Sequence, residues 1–327
     1  MRLRWFVLTA LAISTVALAA DAPVPPSPEA VAYLDRAIAL IRAHHRNAPG
    51  ADWPRIIARA HNAIAGANAP ADTYPAISGV LGALGERHSF LVDASATRAP
   101  QPDANGTAPP TPPMPRWALA AKRYGIVRLP ELNTMIAGGE ATGRAYQAAL
   151  RSGLEQMDKA PLCGWIVDLR QDGGGNMWPM LAGLDPLLGK APFGFFVMRG
   201  QEPTPWIRAN GFVYPAPGAV PTAAPAFALA HGPAPLAVLI GPRTASSGEM
   251  SAIALIGRAR VRTFGAPSAG FTTANKVYPL SDGAMLVITE TTIRDRTGRD
   301  YVGPIRPDEA ADDAEQAAEH WLAGQCA

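Results

Sequence analysis

The chain of 327 residues has only two cysteines and almost no imbalance of charge, with 29 lysines and arginines against 27 aspartates and glutamates. Arg2 and Arg4 precede the apolar run of "MRLRWFVLTALAISTVALAADAP", and Ala17 and Ala19 form an A-x-A cleavage pattern. Residues 1–20 therefore read as a secretory signal, and without it the two charge counts are equal. A neutral mature protein lacks the basic footprint that nucleic acid requires. Beyond the signal no stretch is apolar and long enough to span a bilayer, and no lipobox cysteine stands at the cleavage region. The expectation is an exported protein, periplasmic or extracellular, with no stable membrane span after cleavage.

Other absences narrow the chemistry. The serines lack a G-x-S-x-G elbow, which weakens a lipase or esterase reading. No lysine follows the glycines of "VDLRQDGGGN", where Asn176 and Met177 stand instead, so a nucleotide-binding loop is disfavoured. No second histidine or cysteine lies at ligand spacing from His88, and neither metal nor cofactor is expected. No repeat recurs at a fixed period, which excludes a solenoid.

The apolar fraction of 48% is enough to build a core. From Pro28 to about Leu91, "PEAVAYLDRAIALIRAHHR", "WPRIIARAHNAIAGA" and "YPAISGVLGALGERH" carry apolar residues at helical spacing and predict a three-helix N-terminal domain over 21–98. A Pro-rich linker over 99–116 follows, because proline supports neither helix nor ladder. Over 117–327, the strands "YGIVRLPEL", "GWIVDLR", "LAVLIG" and "RVRTFG" alternate with helices, and "NKVYPL" and "AMLVITETT" pair after them. This pattern predicts an α/β fold, a mixed core with antiparallel C-terminal strands. Cys163 and Cys326 can pair in an oxidising compartment or remain free thiols.

In "LIGPRTASSGEM" a strand turns into a helix at two serines. Ser246 followed by Glu249 fits a capping box, and the same position suits a nucleophile, since a helix start directs amides at developing negative charge. The Ser247 amide is one oxyanion donor, and Gly174 or Gly175 supplies a second, because glycine backbone approaches a carbonyl closely. Among six histidines, His44, His45, His61 and His320 lie in polar helical patterns that predict surface positions, and His231 has no partner motif. His88, in "GERHSF", is the candidate base. Asp168 and Arg170 read as a clamp on the glycine loop.

The ordered set "RHSF", "DLRQDGGGN", "TASSGEM", "GAPSAGFTTAN", "LSDGAMLVIT" and "DRTGRDYVGPIRPD" resembles the C-terminal processing, or tail-specific, serine peptidases. The resemblance covers roughly residues 80 to 310 and is strongest to the branch containing the nisin-resistance protein. It implies Ser246 as nucleophile, His88 as base and Gly174 with Gly175 at the oxyanion hole. Many such peptidases use a lysine base, but here Phe271 occupies the matching place, leaving Lys276 as a fallback. For the group orienting His88 the resemblance leaves Ser89, Glu290, Asp295 and Asp300 open, the two aspartates also reading as parts of a hairpin turn. No PDZ module is recognisable between "RHSF" and "YGIVRLPEL". The implied substrate is a peptide or unfolded protein tail, with an antimicrobial peptide among the candidates. A non-catalytic peptide- or apolar-ligand-binding relative is the competing reading.

Overall fold

The computed structural model describes residues 24–98, 111–209, 212–215 and 228–326; the expected signal at 1–20 and most of the expected linker lie outside them. Three helices come first: α1 (Pro28–His44), α2 (Trp53–Ala63) and α3 (Tyr74–Gly82). Their starts follow from the sequence, since Ser27 accepts the Ala30 amide, Asp52 accepts the Arg55 amide, and proline occupies the first turn of all three. Strand β1 (Phe90–Val92) follows, then β2 (Arg116–Ala120), β3 (Tyr124–Arg128), α4 (Gly139–Asp158) and β4 (Gly164–Asp168). The segment after the glycine loop is helical in two pieces, α5 (Met177–Gly183) and α6 (Asp185–Leu188). The chain continues through β5 (Gly194–Val197), β6 (Thr204–Ala209), β7 (Phe212–Pro215), β8 (Leu236–Ile240), α7 (Ser247–Leu255) and β9 (Val261–Gly265). It closes with β10 (Thr273–Pro279), β11 (Met285–Asp295), β12 (Asp300–Tyr301), β13 (Glu309–Ala310) and α8 (Ala314–Gln325).

These strands form two sheets. The first has the order β13-β9-β8-β4-β3-β2 and is parallel from β13 through β3, with β2 antiparallel at its edge. Its central strands are apolar on both faces, as burial on both sides requires. Trp165 and Val167 of β4 pack towards α4, α5 and α7, while Ile166 between them meets Phe264 and the α8 residues Ala318 and Leu322. The second sheet is antiparallel and built on β11, which pairs with β1, β10, β12 and β5. Helices α1 to α3 close their own apolar faces partly on it, since Leu34, Ile41 and Ile77 share one cluster with Leu286 and Ile288 of β11. A disulfide between Cys163 and Cys326, with Cα atoms 5.5 Å apart, ties the entry of β4 to the end of α8.

Candidate active site

Four loops leave the carboxyl edges of the parallel strands β3, β4, β8 and β9, the edge at which open α/β sheets assemble their sites. Backbone hydrogen bonds lace them together. Leu132 donates to the Gly174 carbonyl, Asn176 to Leu132, Ala245 to Asp172, and Ala269 to Thr244. Two glycines permit the close approach. A Cβ on Gly175 would lie 1.9 Å from the Leu132 oxygen, and one on Gly174 would lie 2.8 Å from Ser246 Cβ; both residues have φ near +110°, a region that favours glycine. Asp168 is held by Arg170, which donates to both its oxygens, and Arg128 and Glu315 extend the pair into a charged clamp at the foot of the glycine loop.

Ser246 sits at the end of the loop after β8, immediately before α7, with φ +49° and ψ −116°. Such a left-handed conformation in a residue bearing a Cβ costs roughly 1–3 kcal/mol and persists only where its surroundings enforce it. Here Glu249 does so: its carboxylate accepts the Ser246 amide at 3.0 Å, the Gly270 amide at 2.8 Å and the Ser268 hydroxyl. The capping box is thus present in its glutamate half, while the Ser246 hydroxyl points elsewhere. Glu249 is wholly buried; burial holds its pKa above the ordinary value, against the pull of the hydrogen bonds from Ser268, Gly270 and Ser246. The neighbouring Ser247 hydroxyl donates to the Gly175 carbonyl at 2.7 Å and pins the glycine loop to the helix start.

His88 reaches this edge from the opposite side, on the segment between α3 and β1. Its Nε2 lies 2.9 Å from Ser246 Oγ and its Nδ1 lies 2.7 Å from Thr273 Oγ1. A neutral ring protonated on Nδ1 satisfies both contacts, with the serine hydroxyl donating to Nε2 and Nδ1–H donating to Thr273. Glu86 accepts the His88 amide at 2.7 Å, Asn275 donates to the His88 carbonyl at 2.8 Å, and the Phe271 ring stands 5.2 Å from the imidazole. Burial lowers the His88 pKa to about 4, with Glu86 opposing the shift. Burial also pushes Glu86 upward, but hydrogen bonds from His45, Ser89 and His88 prevail and hold it at about 2.

The remaining candidates lie apart from the imidazole. Ser89 donates to Thr289, Glu290 accepts from Tyr278, Asp300 pairs with Arg294, and Asp295 accepts from Thr297 and Tyr301. None of these four contacts the His88 ring, because strand alternation and the β11–β12 hairpin direct them to other partners. Thr273 holds the place expected of them. Lys276 is exposed, its ammonium 5.4 Å from the Tyr278 ring centre. His45, expected at the surface, is 2% exposed and bonds Glu86 at 3.0 Å, because the last turn of α1 folds it under the His88 segment. Of the two glycine amides, that of Gly174 is committed to Asp172 Oδ1 at 3.0 Å. The Gly175 and Ser247 amides have no acceptor among the described residues, and Gly175 is exposed to the cleft.

Thr273, Asn275 and Glu86 were not among the residues expected at the site. Thr273 and Asn275 lie within "GAPSAGFTTAN" and Glu86 within "GERHSF", but only the pairing of β10 with β11, interrupted by a register shift between Ala274 and Asn275, brings the first two beneath His88. No group of histidine, cysteine and acidic side chains that could hold a metal is found among the described residues.

The model of peptidase family S41 matches residues 123–311, which include the glycine loop, Ser246 and Thr273 but not His88. The nisin-resistance protein of Lactococcus lactis subsp. lactis is 34% identical over 201 residues, 61% of this chain. The match spans 60% of that relative's length, less than two thirds of it. A lipoprotein from Streptococcus agalactiae superposes with a TM-score of 0.72 at 20% identity, covering 96% of this chain and 100% of its own. The photosystem II D1 C-terminal processing protease superposes with a TM-score of 0.57 at 18% identity, covering 88% and 94%. These two likenesses show a shared fold.

Proposed function

Since the chain belongs to peptidase family S41, we propose that it is an exported serine endopeptidase that cleaves peptides or unfolded protein tails through a Ser246–His88 dyad. The observation that carries this reading is the 2.9 Å contact between Ser246 Oγ and His88 Nε2, made by an imidazole that burial keeps neutral. As Ser246 attacks the scissile carbonyl, Nε2 takes its proton, and Nδ1–H, held by Thr273, fixes the tautomer. The tetrahedral oxyanion is received by the amides of Ser247, at the start of α7, and Gly175. The imidazolium then returns the proton to the leaving amine, and water, activated by the same nitrogen, releases the acyl group from Ser246.

Gly174 keeps its amide on Asp172 and acts by letting the loop pass against Ser246. Lys276 takes no part in this scheme. An antimicrobial peptide is one substrate the nisin-resistance relative suggests.

The test is labelling of the purified mature protein with a fluorophosphonate probe, followed by mapping of the modified residue. Label on Ser246 that disappears in His88→Ala supports an activated dyad. Well-folded protein that takes no label, and turns over no unstructured peptide, would favour a non-catalytic binding protein.

A further inference from the structure

Resting on the peptidase reading, the walls of the cleft also say which peptides fit. The hollow beside His88, about 160 Å³, is lined by Arg46, Glu86, Arg87 and Thr292 among others. Arg46 and Thr292 also line a larger neighbour of about 650 Å³, whose rim adds Arg199, Lys276, His44, His45 and Glu290. Taken together, as the shared Arg46 and Thr292 walls allow, they make one groove between the His88 segment, the end of α1 and the chain that follows β5.

The charges along it are unequal in kind. Glu86 accepts from the His45 ring and from the His88 and Ser89 amides, and Glu290 accepts from Tyr278 and lies 3.6 Å from His44. Both carboxylates are therefore engaged from within the fold. The four cations Arg46, Arg87, Arg199 and Lys276 have no carboxylate partner among the described residues. Arg87 lies over the Phe271 ring and Lys276 over that of Tyr278, and each lines one of the two hollows. Unpaired like charges in a cleft focus a positive potential that draws anionic segments in and repels basic ones.

We propose that this groove is a substrate subsite selecting Asp and Glu side chains of a peptide within a few residues of the scissile bond. The same potential disfavours Lys- and Arg-rich amphipathic peptides, the composition common among antimicrobial peptides.

The test uses the mature protein carrying Ser246→Ala, so that peptides bind without being cut, with affinity read by fluorescence anisotropy. Four labelled decapeptides share one frame: three aspartates, three lysines, neutral with a free C-terminus, and neutral with an amidated one. The aspartate peptide should bind at least about fivefold tighter than the amidated neutral one, and the lysine peptide more weakly than either. The gap should narrow as NaCl rises from about 50 to about 500 mM, and Arg46→Glu with Arg199→Glu should reverse the order. A preference for the free over the amidated C-terminus with none for the aspartate peptide overturns the assignment to acidic side chains. Lysine peptide bound as well as aspartate peptide, no measurable binding of the aspartate peptide, or an order unmoved by the double reversal overturns the proposal. Fluorophosphonate labelling of the wild type separates the two failures: label with no charge preference removes only the groove's role, whereas preference with no label removes the peptidase reading and leaves a binder of acidic peptides.

Discussion

A histidine acting as base must be neutral, and burial of His88 decides how far into acid the site stays competent. With its pKa lowered to about 4, the imidazole is about 90% neutral at pH 5, whereas a histidine at its usual value of about 6.5 would be about 3% neutral there. The expected kcat/KM on a neutral peptide is therefore flat from pH 7 to about pH 5 and falls with a midpoint near 4. Glu86, held at about 2, keeps its charge throughout that range and adds no step of its own. The sign for stability follows from the same shift. Between pH 6.5 and 4 the unfolded chain binds a proton at this position and the native chain does not. The contribution is complete above about pH 6.5 and is lost as pH falls towards 4, amounting to about 3 kcal/mol at 1.36 kcal/mol for each unit. The assay is a pH–rate profile, with the His88 ring resonance followed by NMR on the same samples and urea unfolding compared between wild type and His88→Ala at pH 7 and 4.5. An activity midpoint near 6.5, or a His88 signal titrating there, would refute the reasoning.

Two further outcomes follow from contacts at and away from the dyad. Thr273→Ala removes the acceptor for Nδ1–H, so kcat should fall about 10- to 100-fold with little change in KM, while Thr273→Ser restores most of the rate; equal kcat in the alanine variant would remove Thr273 from the site. The Cys163–Cys326 bond closes a loop of sequence separation 163, for which chain-entropy reasoning gives up to about 5 kcal/mol and common experience about 2–4. Cys163→Ser with Cys326→Ser should lower the urea midpoint by a matching amount while leaving fluorophosphonate labelling of Ser246 intact, and an unchanged midpoint would show that the staple adds nothing.

Much of this arrangement is legible in the order of residues along the chain. The order of "DLRQDGGGN", "TASSGEM" and "GFTTAN" identified the family, the apolar runs "GWIVDLR" and "LAVLIG" marked two strands, and a helix start after Ser246 located the turn that follows the second. What escaped was whatever depends on strand register. Glu290 was a reasonable partner for His88 by residue type, yet on β11 it alternates with Thr289, and only Thr289 joins Ser89 and Asn275 in the network beneath the histidine. His45 was misplaced because a polar helical pattern says which face is wet only while the helix continues, and α1 ends at His44.

The replacement of an expected carboxylate by Thr273 is consistent with the low pKa of His88. A carboxylate on Nδ1 would stabilise the imidazolium and raise the pKa, as it does wherever an anion faces a histidine. A hydroxyl fixes the same tautomer and ring angle without supplying charge, so burial prevails and the neutral base survives into acid. That choice has a cost, because a base far below the operating pH takes the Ser246 proton with less driving force, and more of the barrier must then be lowered by the amides proposed as oxyanion donors, those of Gly175 and Ser247. Glu86, bonded to the His88 amide rather than to its ring, is the nearest anion left to stabilise the imidazolium once it forms. A substitution that removed its charge without disturbing the backbone would be expected to depress the His88 pKa further and to slow the step in which that cation is made.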